Sequence, residues 1–179
     1  MLNKLHELYR DHPEMPYISP ERDVEAFLKK VPVKLVSKLY MTRLENGLLP
    51  GDIMILWRVN FGTFTTEMPY SKYFEYTYGI DGPARMKQLI KDGYVLLESV
   101  FDSLDHINSA QVKALLKEKQ VTGLSKMKRD ELDETLKLHY TEDELANKIT
   151  IRGYCLTEKG KQALKEGQWV VDKHPKKTF

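Results

Sequence analysis

The chain has 179 residues, of which 41% are hydrophobic and 30% are charged, and its formal net charge is +2. This composition is typical of a soluble globular protein and excludes a disordered or fibrous chain. The single cysteine, Cys155, excludes an internal disulfide and a cysteine-rich zinc site.

Residues 1–50 are expected to form a helical N-terminal region. Ser19 and Pro20, followed by acidic residues, are typical of a helix start, and this helix should end before Pro32. Apolar residues then recur at helical spacing, which predicts a second helix from Val33 to Asn46.

The next fifty residues predict two helices joined by a tight turn, with strands on either side. Asp52 is a candidate cap for the apolar segment 53–61, whose isoleucine-rich run could instead form a buried strand. The other predicted elements are a strand at 63–66, helices at 70–78 and 83–91, and a strand at 94–100.

The segment 101–147 changes character and predicts two short helices around a loop, the first capped by Asn108. The apolar positions of these helices are Val112, Leu115 and Leu116 in the first, and Leu132, Leu136 and Leu138 in the second. A strand at 149–156 and a helix at 158–166, capped by Thr157, should follow. Residues 171–179 are expected to be a frayed tail.

Two segments resemble the winged-helix fold of bacterial regulators. Residues 154–164, which include Leu156-Thr157-Glu158-Lys159-Gly160, are similar to the step from the last wing strand to the following helix. Residues 89–95 look like the end of a recognition helix and the first wing strand. The resemblance implies a mainly α-helical (α+β) protein whose winged-helix-like core, with a small β-ribbon, comprises residues 51–100 and 148–170.

The inserted segment 101–147 resembles the SAP module, a helix-loop-helix unit associated with DNA binding. The matching residues are Val112-Lys113, Leu116-Lys117, Lys128-Arg129-Asp130-Glu131-Leu132 and Leu136. Gln120 and Met127 stand where members of that family usually have glycine, and Gly123 is expected to supply a positive φ nearby. The whole arrangement is similar to uncharacterised SAP-containing proteins of Gram-positive bacteria and their phages, a family with no agreed activity.

Basic residues of the SAP-like segment are the main candidates for DNA contact. Lys113 and Lys117 are one helical turn apart, and Lys126, Lys128 and Arg129 open the second helix, where backbone N–H groups also favour a phosphate. The alternative is a solvated amphipathic hairpin in which neighbouring acids pair with these cations.

The predicted helix 83–91 supplies a second candidate surface. In a winged helix it would present Arg85, Lys87, Gln88 and Lys91, of which Arg and Gln can read base edges while Lys meets phosphates. The alternative is a surface for dimerisation or protein docking.

The sequence predicts no enzyme, cofactor or metal site. The five histidines are dispersed without ligand spacing, and neither a glycine-rich phosphate loop nor a nucleophile motif is present. The aromatic residues between Tyr70 and Tyr78 could stack on single-stranded bases, but their spacing favours a place in the core.

The expected function is therefore non-catalytic DNA binding through phosphate contacts, on double-stranded DNA with weak sequence preference. The alternative is an interaction adaptor or subunit of a phage or mobile-element assembly, acting as a homodimer or on a protein partner. The charged N-terminus and the short apolar runs predict no export signal and no membrane span, and the lone cysteine suits the cytoplasm.

Overall fold

Helices dominate the computed structural model, which describes residues 2–30 and 32–175. The helices are α1 (Leu2–Leu8), α2 (Val24–Lys29), α3 (Pro50–Asn60), α4 (Tyr73–Tyr76), α5 (Gly82–Lys91), α6 (Ser109–Glu118), α7 (Arg129–His139), α8 (Glu142–Ala146), α9 (Glu158–Glu166) and α10 (Gln168–Lys173). Two short 3₁₀ helices cover Lys38–Met41 and Leu104–His106. Strands β1 (Val95–Leu97) and β2 (Tyr154–Leu156) pair in an antiparallel two-stranded sheet. The expected α+β class is confirmed at this level.

The chain divides into two compact units, each built from separate stretches of sequence. Unit 1 comprises residues 1–61, 69–96 and 156–179, and unit 2 comprises residues 62–68 and 97–155. The predicted inserted segment 101–147 lies wholly within unit 2.

Unit 1 is organised around α3. Its consecutive residues Ile53, Met54, Ile55 and Leu56 are completely buried, so this turn of the helix is buried on every side. Helices α5, α9 and α10 pack against it. A helix buried all round occupies the centre of a core rather than a surface, which explains why its isoleucine-rich run also suggests a strand.

The junction from β2 into α9 depends on Thr157 and Gly160. The Thr157 hydroxyl accepts a hydrogen bond from the Gly160 N–H at 3.0 Å and donates one to the Gly93 carbonyl at 2.6 Å. A Cβ on Gly160 would lie 2.1 Å from the Tyr94 carbonyl oxygen, so the first turn of α9 packs this closely only with glycine. This contact gives a physical reason for the Thr-Glu-Lys-Gly sequence.

The predicted helix from Val33 to Asn46 is wrong, because only Lys38–Met41 is helical and then as a 3₁₀ helix. Val36 is buried and lies outside any helix or strand, and its backbone groups form hydrogen bonds with side chains of the N-terminal segment. Its N–H donates to the Tyr9 hydroxyl at 3.3 Å, and its carbonyl lies 2.9 Å from His12 Nε2. These tertiary contacts replace the hydrogen bonds that a helix would have made.

Several other elements start, end or shorten differently from the prediction. The helix expected from Ser19 begins at Val24, with Asp23 as its cap, and the helix expected at 70–78 is reduced to α4. The strand expected at 63–66 is a single bridge between Thr65 and Gly153. Helix α8 forms in a segment for which the sequence predicted no helix. Helix α10 extends into the predicted tail. Residues 176–179 of that tail lie outside the described residues.

Unit 2 has its own apolar core between α6 and α7. The completely buried residues at its centre are Val112, Leu116, Leu132, Leu136 and Leu145. Asn108 caps α6, since its side chain accepts from the Gln111 N–H at 2.9 Å. The two predicted helices and their apolar positions are confirmed here, except at Leu138, which is 85% exposed and lies outside this core. Within the described ranges, no helix is long and apolar enough to cross a membrane.

Candidate nucleic-acid interface

The predicted lysines of α6 lie beside its buried face. Lys113 is half-buried and Lys117 is exposed, directly after the buried Val112 and Leu116. They are four residues apart, so both side chains leave the same side of the helix. Among the described residues, neither lysine has an ion-pair partner within 4.0 Å.

Other lysines of unit 2 are paired with carboxylates. Lys119 lies 3.1 Å from Glu144, Lys137 lies 3.0 Å from Glu134, and Lys148 lies 2.6 Å from Glu118. The pairing with Lys148 lowers the pKa of the Glu118 carboxyl. Acidic neighbours therefore engage some lysines of this unit, but not those of the predicted site.

Lys126, in the loop before α7, and Lys128, directly before its first residue, are both exposed. Lys128 is the N-cap residue, and its side chain offers no acceptor to the first turn of the helix. The backbone N–H of Lys128 donates to Glu131 at 2.7 Å. Because α6 and α7 pack against each other, four predicted lysines lie on adjoining elements of one unit.

Arg129 has a different environment from the four lysines. Its Nε donates to Asp133 at 2.8 Å, its Nη1 to the Ile107 carbonyl at 2.9 Å, and its Nη2 to the Leu104 carbonyl at 2.5 Å. These contacts join the start of α7 to the 3₁₀ helix that precedes α6. The guanidinium is thus a structural clamp within unit 2, a role that the sequence pattern did not reveal.

The loop between α6 and α7 adopts left-handed backbone conformations at two positions. Gln120 has a φ of 61° and Gly123 a φ of 77°. The expected positive φ at Gly123 is confirmed. Position 120 thus has the left-handed backbone conformation that glycine favours, although the residue there is glutamine.

The acidic residues of unit 2 outnumber its basic ones. The unit contains twelve Asp and Glu against nine Lys and Arg, whereas unit 1 contains fourteen against nineteen. Any attraction of a polyanion to unit 2 must therefore come from local clustering of its unpaired lysines rather than from net charge.

The second candidate surface, on α5, retains two exposed cations. Lys87 and Lys91 are exposed and four residues apart. Arg85 instead makes a bidentate ion pair, with its Nε and Nη2 each 2.7 Å from the completely buried carboxylate of Asp52. Gln88 donates to Asp92 at 2.8 Å. The two side chains expected to read bases are thus engaged within unit 1.

Asp52 also differs from its predicted role as a helix cap. It lies in the first turn of α3, and its carboxylate accepts from the Leu49 N–H at 2.9 Å. Together with Arg85, this contact satisfies a buried charge and holds α5 against α3.

The aromatic residues of 70–78 contribute to the core of unit 1 rather than to an open stacking surface. Phe74 and Tyr78 are buried, and Tyr78 Oη lies 2.8 Å from His174 Nδ1. The Tyr73 ring contacts those of Phe74 and His174, with centroids 4.5 and 4.8 Å away. The preference for a core position is confirmed for the buried pair.

Sequence reasoning missed a cluster of possible ligands in unit 2. His106 lies next to Asp105 in the chain, and the fold brings Glu98 beside them. The adjacent acid and histidine gave a weak signal, because the third residue is seven positions away and lies outside the 3₁₀ helix that carries the other two. Comparisons with family models, curated proteins and solved structures find no significant match to this chain.

Proposed function

We propose that this protein is a non-catalytic DNA-binding protein whose unit 2 contacts the phosphate backbone of double-stranded DNA. The observation that carries the proposal is the distribution of lysines in unit 2. The four on α6 and at the start of α7 lack ion-pair partners among the described residues, while three others are paired with carboxylates. Unpaired ammonium groups are available to replace the counterions of DNA.

The α6–loop–α7 geometry supports the same proposal. The segment resembles a SAP module in sequence, and its loop has a positive φ at Gln120, where that family usually has glycine. Two packed helices with an apolar core between them give the lysines a rigid support. The N-terminus of α7, with no side-chain cap, adds backbone donors next to Lys128.

Unit 1 would make a smaller contribution. The order of α3, the Thr65 bridge, α4, α5, β1, β2 and α9 supports a winged-helix-like core. With Arg85 and Gln88 engaged in intramolecular contacts, the exposed Lys87 and Lys91 would meet phosphates rather than read bases. We therefore expect weak sequence preference and affinity that falls steeply with salt.

The second candidate function is a protein-interaction adaptor. Leu138 on α7 is 85% exposed and offers an apolar contact outside the core that α7 forms with α6. In this alternative α7 contacts a protein partner or a second copy, and the lysines serve only solubility. A homodimer in light scattering that does not bind DNA would favour the adaptor.

The test replaces Lys113, Lys117, Lys126 and Lys128 with glutamine. A matched control replaces Lys4, Lys34, Lys38 and Lys165, which are exposed lysines of unit 1 without an ion pair among the described residues, so both variants lose four charges. Affinity for a labelled duplex is measured by fluorescence anisotropy at low salt. We expect the first variant to bind at least tenfold more weakly than the control, and equal affinities would contradict the proposal.

A further inference from the structure

Glu98, Asp105 and His106 bring three metal-binding side chains together in unit 2. Nε2 of His106 lies 3.8 Å from Oε2 of Glu98 and 3.5 Å from Oδ1 of Asp105, and the three atoms all lie within 4.8 Å of one another. Three donors about 2.0–2.2 Å from one tetrahedral ion stand roughly 3.3–3.6 Å apart. Small side-chain movements would therefore complete the ligand geometry.

The buried polar atoms of this cluster are poorly satisfied without an ion. The His106 side chain is nine-tenths buried, and both of its carboxylate neighbours are farther away than a good hydrogen bond requires. Oε2 of Glu98 is buried, and no described group donates a hydrogen bond to it. A buried acceptor normally has a partner, so this one is aimed at a position where a cation would provide it.

Acidic side chains gather around Glu98. The carboxylates of Asp105 and Asp102 act on it electrostatically, and among the described residues the group that opposes them is the imidazole of His106. A divalent ion would stabilise the ionised carboxylates where the histidine does so only weakly.

The backbone leaves room for the cluster at Gly153. A Cβ on this residue would lie 2.1 Å from Glu98 Oε2 and 2.4 Å from His106 Nε2, so any other residue would displace both groups. The Gly153 N–H also donates to the buried Ser103 hydroxyl at 3.0 Å, which fixes the backbone there. The ligand atoms thus occupy space that only a glycine leaves open.

We propose that Glu98, Asp105 and His106 form a binding site for a single divalent transition-metal ion of the Zn²⁺ class. One imidazole nitrogen with two carboxylate oxygens suits such an ion better than Mg²⁺ or Ca²⁺, which prefer oxygen ligands alone. Water would occupy the remaining coordination positions. The bound ion would tie the segment after β1 to the 3₁₀ helix before α6, and this role is independent of DNA binding.

The test is calorimetric titration of the chelator-treated, tag-free full chain with ZnCl₂, and with MgCl₂ for comparison. We expect one Zn²⁺ per chain, a higher melting temperature with Zn²⁺, and at least tenfold weaker binding of Mg²⁺. His106→Gln and Asp105→Ala should each weaken Zn²⁺ binding at least tenfold, and His139→Gln, an exposed histidine on α7, should leave it unchanged.

The Asp105 variant is expected to fold, because this side chain is 69% exposed and its removal leaves the core intact. It therefore tests metal binding even if the His106 variant does not fold. Circular dichroism of each metal-free variant establishes that it is folded before titration. Absence of stoichiometric Zn²⁺ binding by the wild-type chain would overturn the proposal. Equal binding by the wild type and both ligand variants would overturn it as well, because the ion would then sit elsewhere.

Discussion

Arg129 shows how one residue of a basic cluster can have a purely structural role. Its position beside Lys128 at the start of a helix suggests a phosphate ligand, and the sequence offers no means of separating the two residues. In the fold, the guanidinium donates to Asp133 and to two backbone carbonyls. A phosphate would have to compete with these contacts, whereas the Lys128 ammonium is exposed.

We predict that Arg129→Gln lowers the free energy of unfolding by about 1–3 kcal/mol, because it leaves the carbonyls of Leu104 and Ile107 without their donors. Lys128→Gln should change it by no more than about 0.5 kcal/mol, as is usual for an exposed position. Urea denaturation of both variants measures the difference. Equal stability of the two would show that the Arg129 contacts contribute little.

His174 gives unit 1 a pH-dependent contact. Burial lowers the pKa of its imidazole, and Arg58 lowers it further. Burial raises the pKa of Tyr78, so this phenol keeps its proton, and its hydroxyl forms a hydrogen bond of 2.8 Å with Nδ1 of His174. The folded state therefore takes up a proton at His174 less readily than the unfolded chain does, whose pKa is about 6.5.

We predict that the contribution of His174 to stability is present above about pH 6.5 and is lost as the pH falls through the lowered pKa of the folded state. The stability difference between the wild type and His174→Gln should therefore shrink between about pH 7.5 and pH 5. Thermal melts across this range measure it, with His6→Gln, an exposed histidine of the same unit, as the control. A difference that does not change with pH would contradict the assignment.

At the scale of elements, helices with local start and stop signals could be predicted from sequence. The α6 cap at Asn108 and the α9 cap at Thr157 form local hydrogen bonds within their own first turns. Elements set by distant contacts could not be predicted in this way. The non-helical backbone at Val36 forms hydrogen bonds with side chains 24 and 27 residues away. Its apolar spacing therefore suggests a helix that tertiary structure overrides.

In the loop between α6 and α7, a residue other than glycine has a positive φ. Gln120 holds a φ of 61°, which costs a residue with a Cβ more than it costs glycine. We predict that Gln120→Gly raises the free energy of unfolding by up to about 1 kcal/mol. Lys119→Gly, at an ordinary φ of −88°, should lower it. Chemical denaturation of the two variants checks this, and destabilisation by both would contradict the account of the loop.

The candidate site could be predicted only in part, because local spacing places side chains on a helix but does not reveal their distant partners. Helical spacing places Lys113 and Lys117 on one side of α6, so that pair follows from sequence. The ion pairs of Arg85 and of Lys148 join residues 33 and 30 positions apart, and local patterns do not encode them. Which cations are available to a ligand is therefore decided by the fold.

At the scale of the whole molecule, the net charge of +2 conceals two different units. Unit 1 has a surplus of five basic residues and unit 2 a surplus of three acidic ones. Each unit is assembled from separated stretches, so dividing the sequence at its middle does not show this asymmetry. The proposed contact with DNA consequently depends on a few unpaired lysines rather than on a broad basic surface.

The measurement that tests the central claim most directly is the salt dependence of duplex binding by the wild-type chain. Fluorescence anisotropy between about 25 and 200 mM salt gives the slope of log affinity against log salt concentration. Two to four phosphate contacts predict a slope of about −2 to −4, with weaker dependence and weaker binding on a single strand. No binding at the lowest salt, or binding without a salt dependence, would contradict phosphate recognition by these lysines.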